Sequence, residues 1–344
     1  MTPPGSILVT GANGGLGSAI VAHIVKDAHL AKYTGLYSVR IADSATQLSA
    51  ALAKAPDTHH HETLEVDLAS IASVKSLAMD INNRVSKGEL APIRALILNA
   101  GYQDHLALTM TDDGFETTWQ VNYLANFILT LLLLESIDKK NGTILFVASW
   151  AHDVDDARNE TGGFAPYKDP KWRDMFPSPE LLASGNWSTP ADESGPYPGQ
   201  RRYGASKLCA VMHMHELAER IARDQSLSGI SVVGLDPGGM GTGLTRKSSL
   251  KMRLMMKAIP LFAAYTVGSD PNGTLRPTWK SAADVIRACF EIDLPKDKAL
   301  YLNGTDQIET AKDSKDSLKR KQLWEYGVKV TGIGPNDTAL HELS

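Results

Sequence analysis

The chain has 344 residues, of which 43% are hydrophobic and 22% charged, a composition typical of a folded globular protein. Its formal net charge of −4 excludes a general electrostatic attraction to nucleic acid. Two cysteines, Cys209 and Cys289, are too few for a disulfide framework and favour a reducing compartment. The first apolar run, Ile7–Val9, is too short for a secretory signal, and no run reaches the ~18 residues of a membrane span. We therefore expect a cytoplasmic protein.

The first two thirds of the sequence alternate short apolar segments with segments of helical periodicity, which predicts parallel strands joined by crossover helices. Strands are predicted at Ile7–Val9, Leu36–Ile41, Leu64–Asp67, Ala95–Leu98, Thr143–Val147 and Ile230–Leu235. Helices are predicted at Ser18–Lys26, Ser73–Val85, Trp119–Ile137 and Tyr203–Arg223. This order indicates an α/β fold with a doubly wound, mostly parallel sheet and helices on both faces.

A glycine-rich loop, residues 10–17 (TGANGGLG), lies between the first strand and the first helix. A backbone that approaches a pyrophosphate closely has no room for a Cβ atom, which explains Gly11, Gly15 and Gly17. The following helix offers free N–H groups and the positive end of its dipole to the phosphates. The loop therefore predicts a dinucleotide site.

Tyr203 and Lys207 are four residues apart on one predicted helix and share a face. A free tyrosine has a pKa near ~10 and is a poor base at neutral pH. An ammonium at roughly 4 Å, at an effective dielectric constant of about 20, favours the phenolate by about 4 kcal/mol before desolvation. This corresponds to about three pKa units, so we expect Tyr203 to act as an acid and base near pH 7.

Further motifs follow the predicted strands in order. They are Asp67 after the third, Asn99-Ala-Gly101 after the fourth, Ser149 after the fifth and Pro237-Gly238 after the sixth, with Asn122 in the long helix. With the glycine loop and Tyr203-x-x-x-Lys207, they resemble the short-chain dehydrogenase/reductase family over about residues 5–245. The resemblance implies a Rossmann fold and a nicotinamide-dependent oxidoreductase.

The resemblance also implies roles for single residues. Lys207 would hydrogen-bond the nicotinamide ribose, Ser149 the substrate carbonyl or hydroxyl, and Asn122 a water of the proton relay. Asp67 would accept from the adenine amino group, and Asn99 would lie beside the adenosine ribose. The predicted catalytic residues are Asn122, Ser149, Tyr203 and Lys207. The predicted cofactor-binding residues are Gly11, Asn13, Gly15, Leu16, Gly17, Arg40, Asp67, Leu68, Asn99, Ala100, Gly101, Tyr203, Lys207, Pro237, Gly238 and Thr242.

Four of these residues have a structural alternative. Ser149 could cap the end of its strand, and Asn122 could bond to backbone inside its helix. Asp67 could be the N-cap of the next helix. Asn99 could stabilise a turn of the sheet.

The end of the second strand bears on the choice of cofactor. Relatives that prefer NAD place an acid there for the ribose diol. Val39 occupies that position here, and Arg40 suits a 2′-phosphate through a charge-assisted hydrogen bond. Asp43 lies three residues further on, and because it is an acid near the end of this strand, NAD(H) remains an alternative. We expect NADP(H).

We predict a single domain, 1–344, with an insertion at 151–200, a substrate lid at 239–280 and a C-terminal extension at 305–344. The insertion holds seven of the 17 prolines and separates Ser149 from Tyr203 more widely than in most relatives. Its six aromatic residues (Phe164, Tyr167, Trp172, Phe176, Trp187, Tyr197) could wall a pocket for a large apolar substrate, or pack as a surface flap. If the insertion covers the helices through which relatives associate, the protein is a monomer or dimer rather than a tetramer.

Two other segments stand out. Residues 244–269 carry five bases and no acid, and Met252, Met255 and Met256 recur at helical spacing, which suits an adaptable pocket or ordinary lid packing. Membrane contact by this segment is a minor alternative. The charged stretch Lys312–Lys321 predicts a solvated helix.

His59–His61 lacks a partner carboxylate or cysteine pattern and is expected in a solvated loop, so no metal site is predicted. The predicted function is the NADP(H)-dependent interconversion of a ketone and a secondary alcohol on a bulky, mostly apolar small molecule, with Tyr203 as acid and base. Alternatives are an NAD-dependent alcohol dehydrogenase, a non-redox cyclisation or isomerisation, and a cofactor-sensing regulator.

Overall fold

A computed structural model describes residues 3–160, 164–247 and 259–343. Its sheet has eight strands in the order β3-β2-β1-β4-β5-β6-β7-β8, all parallel except β8, which is antiparallel to β7. The strands are β1 Ser6–Val9, β2 Thr34–Val39, β3 His61–Glu65, β4 Ile93–Leu98, β5 Thr143–Val147, β6 Ser231–Asp236, β7 Leu300–Asn303 and β8 Asp306–Gln307. The strand order reverses between β1 and β4, which creates a crevice at the carboxyl ends of these strands.

Helices cover both faces of the sheet, so the predicted α/β fold is confirmed. Their bounds are Gly15–Lys26, Thr46–Leu52, Ile71–Ser86, Thr117–Trp119, Ala125–Leu133, Pro179–Ala183, Tyr197–Arg223, Thr278–Phe290, Lys312–Lys315 and Ser317–Thr331, and residues 259–266 are also helical. A π-helical turn, Gln120–Leu124, joins Thr117–Trp119 to Ala125–Leu133. In β1, Leu8 packs into the core on one face, whereas Ile7 and Val9 pack into the core on the other.

Several predicted boundaries are wrong by a few residues. The second strand ends at Val39 rather than Ile41, and the third runs His61–Glu65 rather than Leu64–Asp67. Their pairing explains both shifts, because the register runs from Gly35 opposite His61 to Val39 opposite Glu65. The sequence analysis missed β7 and β8, which are only four and two residues long.

His59 does not lie in a solvated loop, as the sequence analysis expected. Its ring is buried, with Nε2 3.0 Å from the Tyr37 hydroxyl and Nδ1 2.9 Å from the carbonyl oxygen of Ala31. Burial lowers the pKa of His59, so its neutral form is favoured. Both ring nitrogens have partners within the fold, which makes burial of the imidazole acceptable.

The insertion packs against the body of the protein. Tyr167, Trp172 and Phe176 are buried in the same core as the helix Tyr197–Arg223. A Cβ atom on Gly204 would lie 3.0 Å from the Met175 methyl group, so the insertion contacts the helix backbone directly. The expectation that its aromatic rings mainly wall a substrate pocket is therefore wrong, and the flap alternative describes most of them.

The C-terminal extension is buried more deeply than a solvated helix would be. The charged stretch Lys312–Lys321 is mostly exposed, as predicted, although Ser314 and Arg320 within it are buried. Trp324, 1% exposed, packs its ring against Phe127 and His213, and its Nε1 donates to the carbonyl oxygen of Leu343 at 2.7 Å. The apolar residues after Lys321 therefore pack the helix Ser317–Thr331 against the helices Ala125–Leu133 and Tyr197–Arg223.

The lid is described only in part. The residues Lys251, Met252, Arg253, Met255, Met256 and Lys257 lie outside the described part of the chain, as does the side chain of Arg246. Among the residues that are described, no helix is both long enough and apolar enough to cross a membrane. Cys209 and Cys289 are buried and unpaired.

Candidate active site

A cavity of about 1150 Å³ opens at the carboxyl ends of the central strands. It is lined by every residue predicted to bind the cofactor: Gly11, Asn13, Gly15, Leu16, Gly17, Arg40, Asp67, Leu68, Asn99, Ala100, Gly101, Tyr203, Lys207, Pro237, Gly238 and Thr242. Of the four predicted catalytic residues, Ser149, Tyr203 and Lys207 line it and Asn122 does not. Most of these segments follow the carboxyl ends of the parallel strands, and the helix Tyr197–Arg223 adds Tyr203 and Lys207.

The glycine loop fits a closely approaching ligand. Gly11 has a φ angle of 64°, and a Cβ atom there would lie 2.9 Å from the Cα atom of Ala100. A Cβ atom on Gly15 would lie 2.8 Å from Cγ2 of Thr242. The helix Gly15–Lys26 then begins with Gly14 as N-cap and no side-chain cap, which leaves its first N–H groups open to the cavity. The cradle therefore suits the pyrophosphate of a dinucleotide.

Asn99 ties the end of β4 to the glycine loop. Its Nδ2 donates to the carbonyl oxygens of Thr10 and Gly11, at 2.8 and 3.2 Å. The backbone N–H of Ala100 donates to Oγ1 of Thr10 at 3.0 Å. Asn99 thus acts as the stabilising residue that the structural alternative describes, while it also lines the cavity.

Asp67 is not the N-cap of the next helix. Ser70 holds that position and accepts a hydrogen bond from the N–H of Ser73 at 3.2 Å. The Asp67 carboxylate is exposed and accepts from the N–H of Ala69 at 3.0 Å. An oxygen of this carboxylate stays available toward the cavity.

Arg40 and Asp43 lie in different places relative to the cavity. Arg40 lines it directly after β2, and its guanidinium forms no ion pair within residues 3–160, 164–247 and 259–343. Asp43 is exposed in the short 3-10 helix Ala42–Ser44 and does not line the cavity. A positive charge, and not the carboxylate, therefore faces the site where an adenosine ribose would lie.

Ser149 and Tyr203 form the centre of the site. Burial raises the pKa of Tyr203, and hydrogen bonding with the Ser149 side chain opposes this rise. Oγ of Ser149 also accepts from the N–H of Ala151 at 3.2 Å, so the serine caps the turn after β5 as well as facing the tyrosine. His152 supports this turn, since its Nδ1 lies 2.7 Å from the carbonyl oxygen of Ser149.

Lys207 is buried one helical turn after Tyr203. Its Nζ donates to the carbonyl oxygen of Val147 at 2.9 Å and lies 5.8 Å from the centre of the tyrosine ring. Burial lowers the pKa of Lys207 to about 8, although the charge of Asp236 opposes the change. Burial of the phenol therefore works against the lowering of the Tyr203 pKa that the sequence analysis expects from the ammonium, and the role of Tyr203 as acid and base stays a prediction.

Asn122 is fully buried in the π-helical turn, and its amide is fully engaged. Oδ1 accepts from the N–H of Tyr102 at 2.8 Å, and Nδ2 donates to the carbonyl oxygen of Tyr102 and to Oγ of Ser206, both at 2.9 Å. Asn122 therefore links the loop after β4 to the catalytic helix. These contacts match the alternative in which Asn122 bonds to backbone.

The sequence analysis did not single out several residues of this cavity. Arg158 of the insertion lines it and forms an ion pair with Asp236 at the end of β6, with 3.1 Å between Nη1 and Oδ2. Gln103, His105 and Gln200 also line it. Of the six aromatic residues of the insertion, only Phe164 lines the cavity. No group of His, Cys, Asp and Glu side chains in the described part of the chain could hold a metal ion.

Comparison with known proteins gives three kinds of match. A sequence model described as short chain dehydrogenase matches residues 6–161. The chain is 42% identical to the short-chain dehydrogenase iccH of Talaromyces variabilis over 361 residues, covering 99% of both chains. It is 26% identical to the chloroplastic protochlorophyllide reductase A of Oryza sativa subsp. japonica over 343 residues, covering 96% of this chain and 81% of that protein.

Solved structures share the fold at lower sequence identity. The NADPH-bound carbonyl reductase from chicken fatty liver superposes with a TM-score of 0.59 and 17% identity, covering 89% of this chain and 98% of that one. At this identity the likeness shows that the two chains share a fold.

Replacement Lys207→Met should remove the cost of burying an ammonium. Folded Lys207 releases its proton near pH 8, whereas the unfolded chain holds it up to about 10.5, so the free energy of unfolding of the wild type rises with pH between these values. We therefore expect Lys207→Met to raise the free energy of unfolding, relative to the wild type, by ~2 kcal/mol more at pH 7 than at pH 10. Urea unfolding of ligand-free protein at the two pH values measures this difference. Exposed Lys54→Met is the control, and a pH-independent effect of Lys207→Met would contradict the assignment.

Proposed function

The chain belongs to the short-chain dehydrogenase family of oxidoreductases, and on this premise we propose that it interconverts a ketone and a secondary alcohol of a bulky, mostly apolar small molecule with NADP(H). One observation carries the proposal. A single cavity is lined by the glycine cradle at one end and by Ser149, Tyr203 and Lys207 at its centre. Apolar side chains, among them Val121, Trp150 and Ile259, complete its wall, which favours an apolar substrate.

The neutral phenol of Tyr203 suits the reductive direction. Because burial raises the pKa of Tyr203, the proton stays on its oxygen at neutral pH and can be donated to a carbonyl oxygen. The Ser149 hydroxyl, beside the phenol, would hold that carbonyl oxygen in place. Lys207 would hold the nicotinamide ribose and stabilise the phenolate after proton donation. A bound nicotinamide supplies the hydride in this direction and accepts it in the other.

Arg40 supports the preference for NADP(H). A guanidinium binds a phosphate by charge-assisted hydrogen bonds, and Arg40 is the basic side chain directly after β2 on the cavity wall. Asp43, on which the alternative of NAD(H) rests, is exposed and does not line the cavity. The NADPH-bound carbonyl reductase with the same fold is compatible with this choice.

The proposed assembly is a monomer or a dimer rather than a tetramer. Relatives associate through the helices that carry Asn122 and Tyr203. In this chain both helices are covered, by the insertion and by the helix Ser317–Thr331. The Tyr123 hydroxyl donates to the carbonyl oxygen of Leu323 at 3.1 Å, and Trp324 packs on Phe127. This intramolecular packing occupies the surface that a four-helix interface would need.

Tyr203→Phe should lower ketone reduction by at least about 100-fold, because it removes the proton donor. Affinity for NADPH should stay within about threefold, since the ring remains. Turnover with a panel of ketones and fluorescence titration of NADPH measure the two effects. Tyr167→Phe is the matched control, because the Tyr167 hydroxyl is buried and has no hydrogen-bond partner among the described residues. Wild-type rates in Tyr203→Phe would refute the mechanism.

Arg40→Asp should weaken NADPH binding by about 100-fold or more, because a phosphate partner is lost and a repelling charge is added. NADH affinity should change only a few-fold. Binding titrations with both cofactors measure the ratio, and Lys54→Asp, at an exposed lysine that does not line the cavity, repeats the change in net charge. Equal losses for NADPH and NADH would show that Arg40 does not read the 2′-phosphate.

Light scattering of the full chain tests the assembly. We expect the molar mass of one or two chains over a wide concentration range, because the apolar helix faces are already buried. A tetramer built on the helices that carry Asn122 and Tyr203 would contradict the proposal.

A further inference from the structure

Three polar side chains form a cluster on the cavity wall. Nε2 of Gln103 lies 2.8 Å from Nε2 of His105 and 2.8 Å from Oε1 of Gln200. Nε2 of His105 lies 3.2 Å from the same Oε1. We call Gln103, His105 and Gln200 the polar triangle. All three residues line the cavity.

The polar triangle leaves two hydrogen-bonding atoms unused. Gln103 and His105 are only 6% and 5% exposed, so their polar atoms are largely removed from bulk water. Oε1 of Gln103 and Nε2 of Gln200 have no hydrogen-bond partner among the described residues. Each glutamine therefore keeps one polar atom outside the triangle in either amide orientation. A ligand group that forms hydrogen bonds with these two atoms of the cavity wall gains binding free energy.

Neighbouring contacts hold the polar triangle in place. The backbone of Tyr102, directly before Gln103, is bonded on both sides by the Asn122 amide. Asp104 forms an ion pair with Lys247 at 3.2 Å, and the N–H of His105 donates to the carbonyl oxygen of Lys247 at 3.3 Å. The loop after β4 is therefore fixed to the helix Tyr197–Arg223 and to the start of the lid.

The polar triangle also has a defined position relative to the catalytic phenol. Gln200 precedes Tyr203 by three residues on one helix, so the two side chains share a face. Three residues of helix correspond to about 4.5 Å along the axis. Gln200 therefore lies about one helical turn before Tyr203 on the cavity side of this helix.

We propose that the polar triangle binds a hydroxyl group of the substrate whose carbonyl group reacts at Tyr203. One free acceptor and one free donor match a hydroxyl, which both donates and accepts a hydrogen bond. The substrate is then a hydroxylated ketone, for example a phenolic one, with the rest of its surface apolar. This inference rests on the proposed function and names the substrate class of that site.

A charged group fits less well. Burial lowers the pKa of His105, which favours the neutral imidazole, and both glutamine side chains are neutral. The nearby charges of Asp104 and Lys247 already neutralise each other. An ionised carboxylate would therefore be desolvated at this wall without a countercharge.

Matched aryl ketones test the inference. The probes are α-tetralone, its hydroxytetralone isomers and the corresponding methyl ethers, assayed for kcat/KM with NADPH and for Kd by calorimetry with NADP+ present. The wild type should prefer the best hydroxytetralone at least about tenfold over α-tetralone and over the ether. Gln103→Met and Gln200→Met should each reduce this ratio, measured against α-tetralone in the same variant, to about threefold or less. Gln225→Met, at an exposed loop residue, should keep the preference.

The outcomes separate this inference from the proposed function. Equal values for hydroxylated and plain ketones in the wild type would overturn the inference, as would a preference that survives in both cavity variants. Hydroxyl-dependent binding that both variants lose, without reduction of any ketone, would support the polar triangle and refute the proposed reaction. NADPH affinity of each variant confirms that it is folded.

Discussion

The site has to accommodate the buried ammonium of Lys207, whose burial costs free energy. A pKa lowered to about 8 corresponds to a cost of about 3 kcal/mol at neutral pH. This cost remains although the negative charge of Asp236 favours the ammonium and the carbonyl oxygen of Val147 accepts a hydrogen bond from it. Asp236 is itself held by the N–H of Gly238 at 2.9 Å and by the ion pair with Arg158. The ends of β5 and β6 and the insertion are thus arranged around one buried positive charge.

The same demand explains why the insertion and the extension are ordered parts of the fold. The helix that carries Tyr203 and Lys207 is buried along most of its length. Tyr167 and Met175 pack on its first half, at Gly204. The helix Ser317–Thr331 packs on its second half, where Trp324 contacts His213. Excluding water from this helix keeps the dielectric constant low around the phenol and the ammonium, which strengthens their interactions with a bound ligand.

The sequence predicted best those parts of the site whose residues are close together in the sequence. The glycine loop and the Tyr203–Lys207 pair could be predicted because their spacing is set by one turn or one helix. The polar triangle could not, because Gln103 and Gln200 come from a loop and a helix that only the fold brings together. Aromatic composition indicated an ordered insertion, but it did not show whether the rings face the cavity or the core. The sequence analysis likewise expected His59 in solvent, because the sequence does not show that Tyr37 and Ala31 lie beside its ring.

Charge is distributed unevenly along the cavity, and this orients what can bind there. Arg40 and the open N–H groups after Gly14 attract anions at one end. Beside Ser149 and Lys207, Arg158 forms ion pairs with both Asp156 and Asp236. Another part of the wall offers the neutral amides of the polar triangle. A dinucleotide is therefore favoured at the glycine loop, and an uncharged, hydrogen-bonding molecule at the polar triangle. Because desolvating a charge costs far more than desolvating a hydroxyl, the reverse placement is disfavoured before any shape is considered.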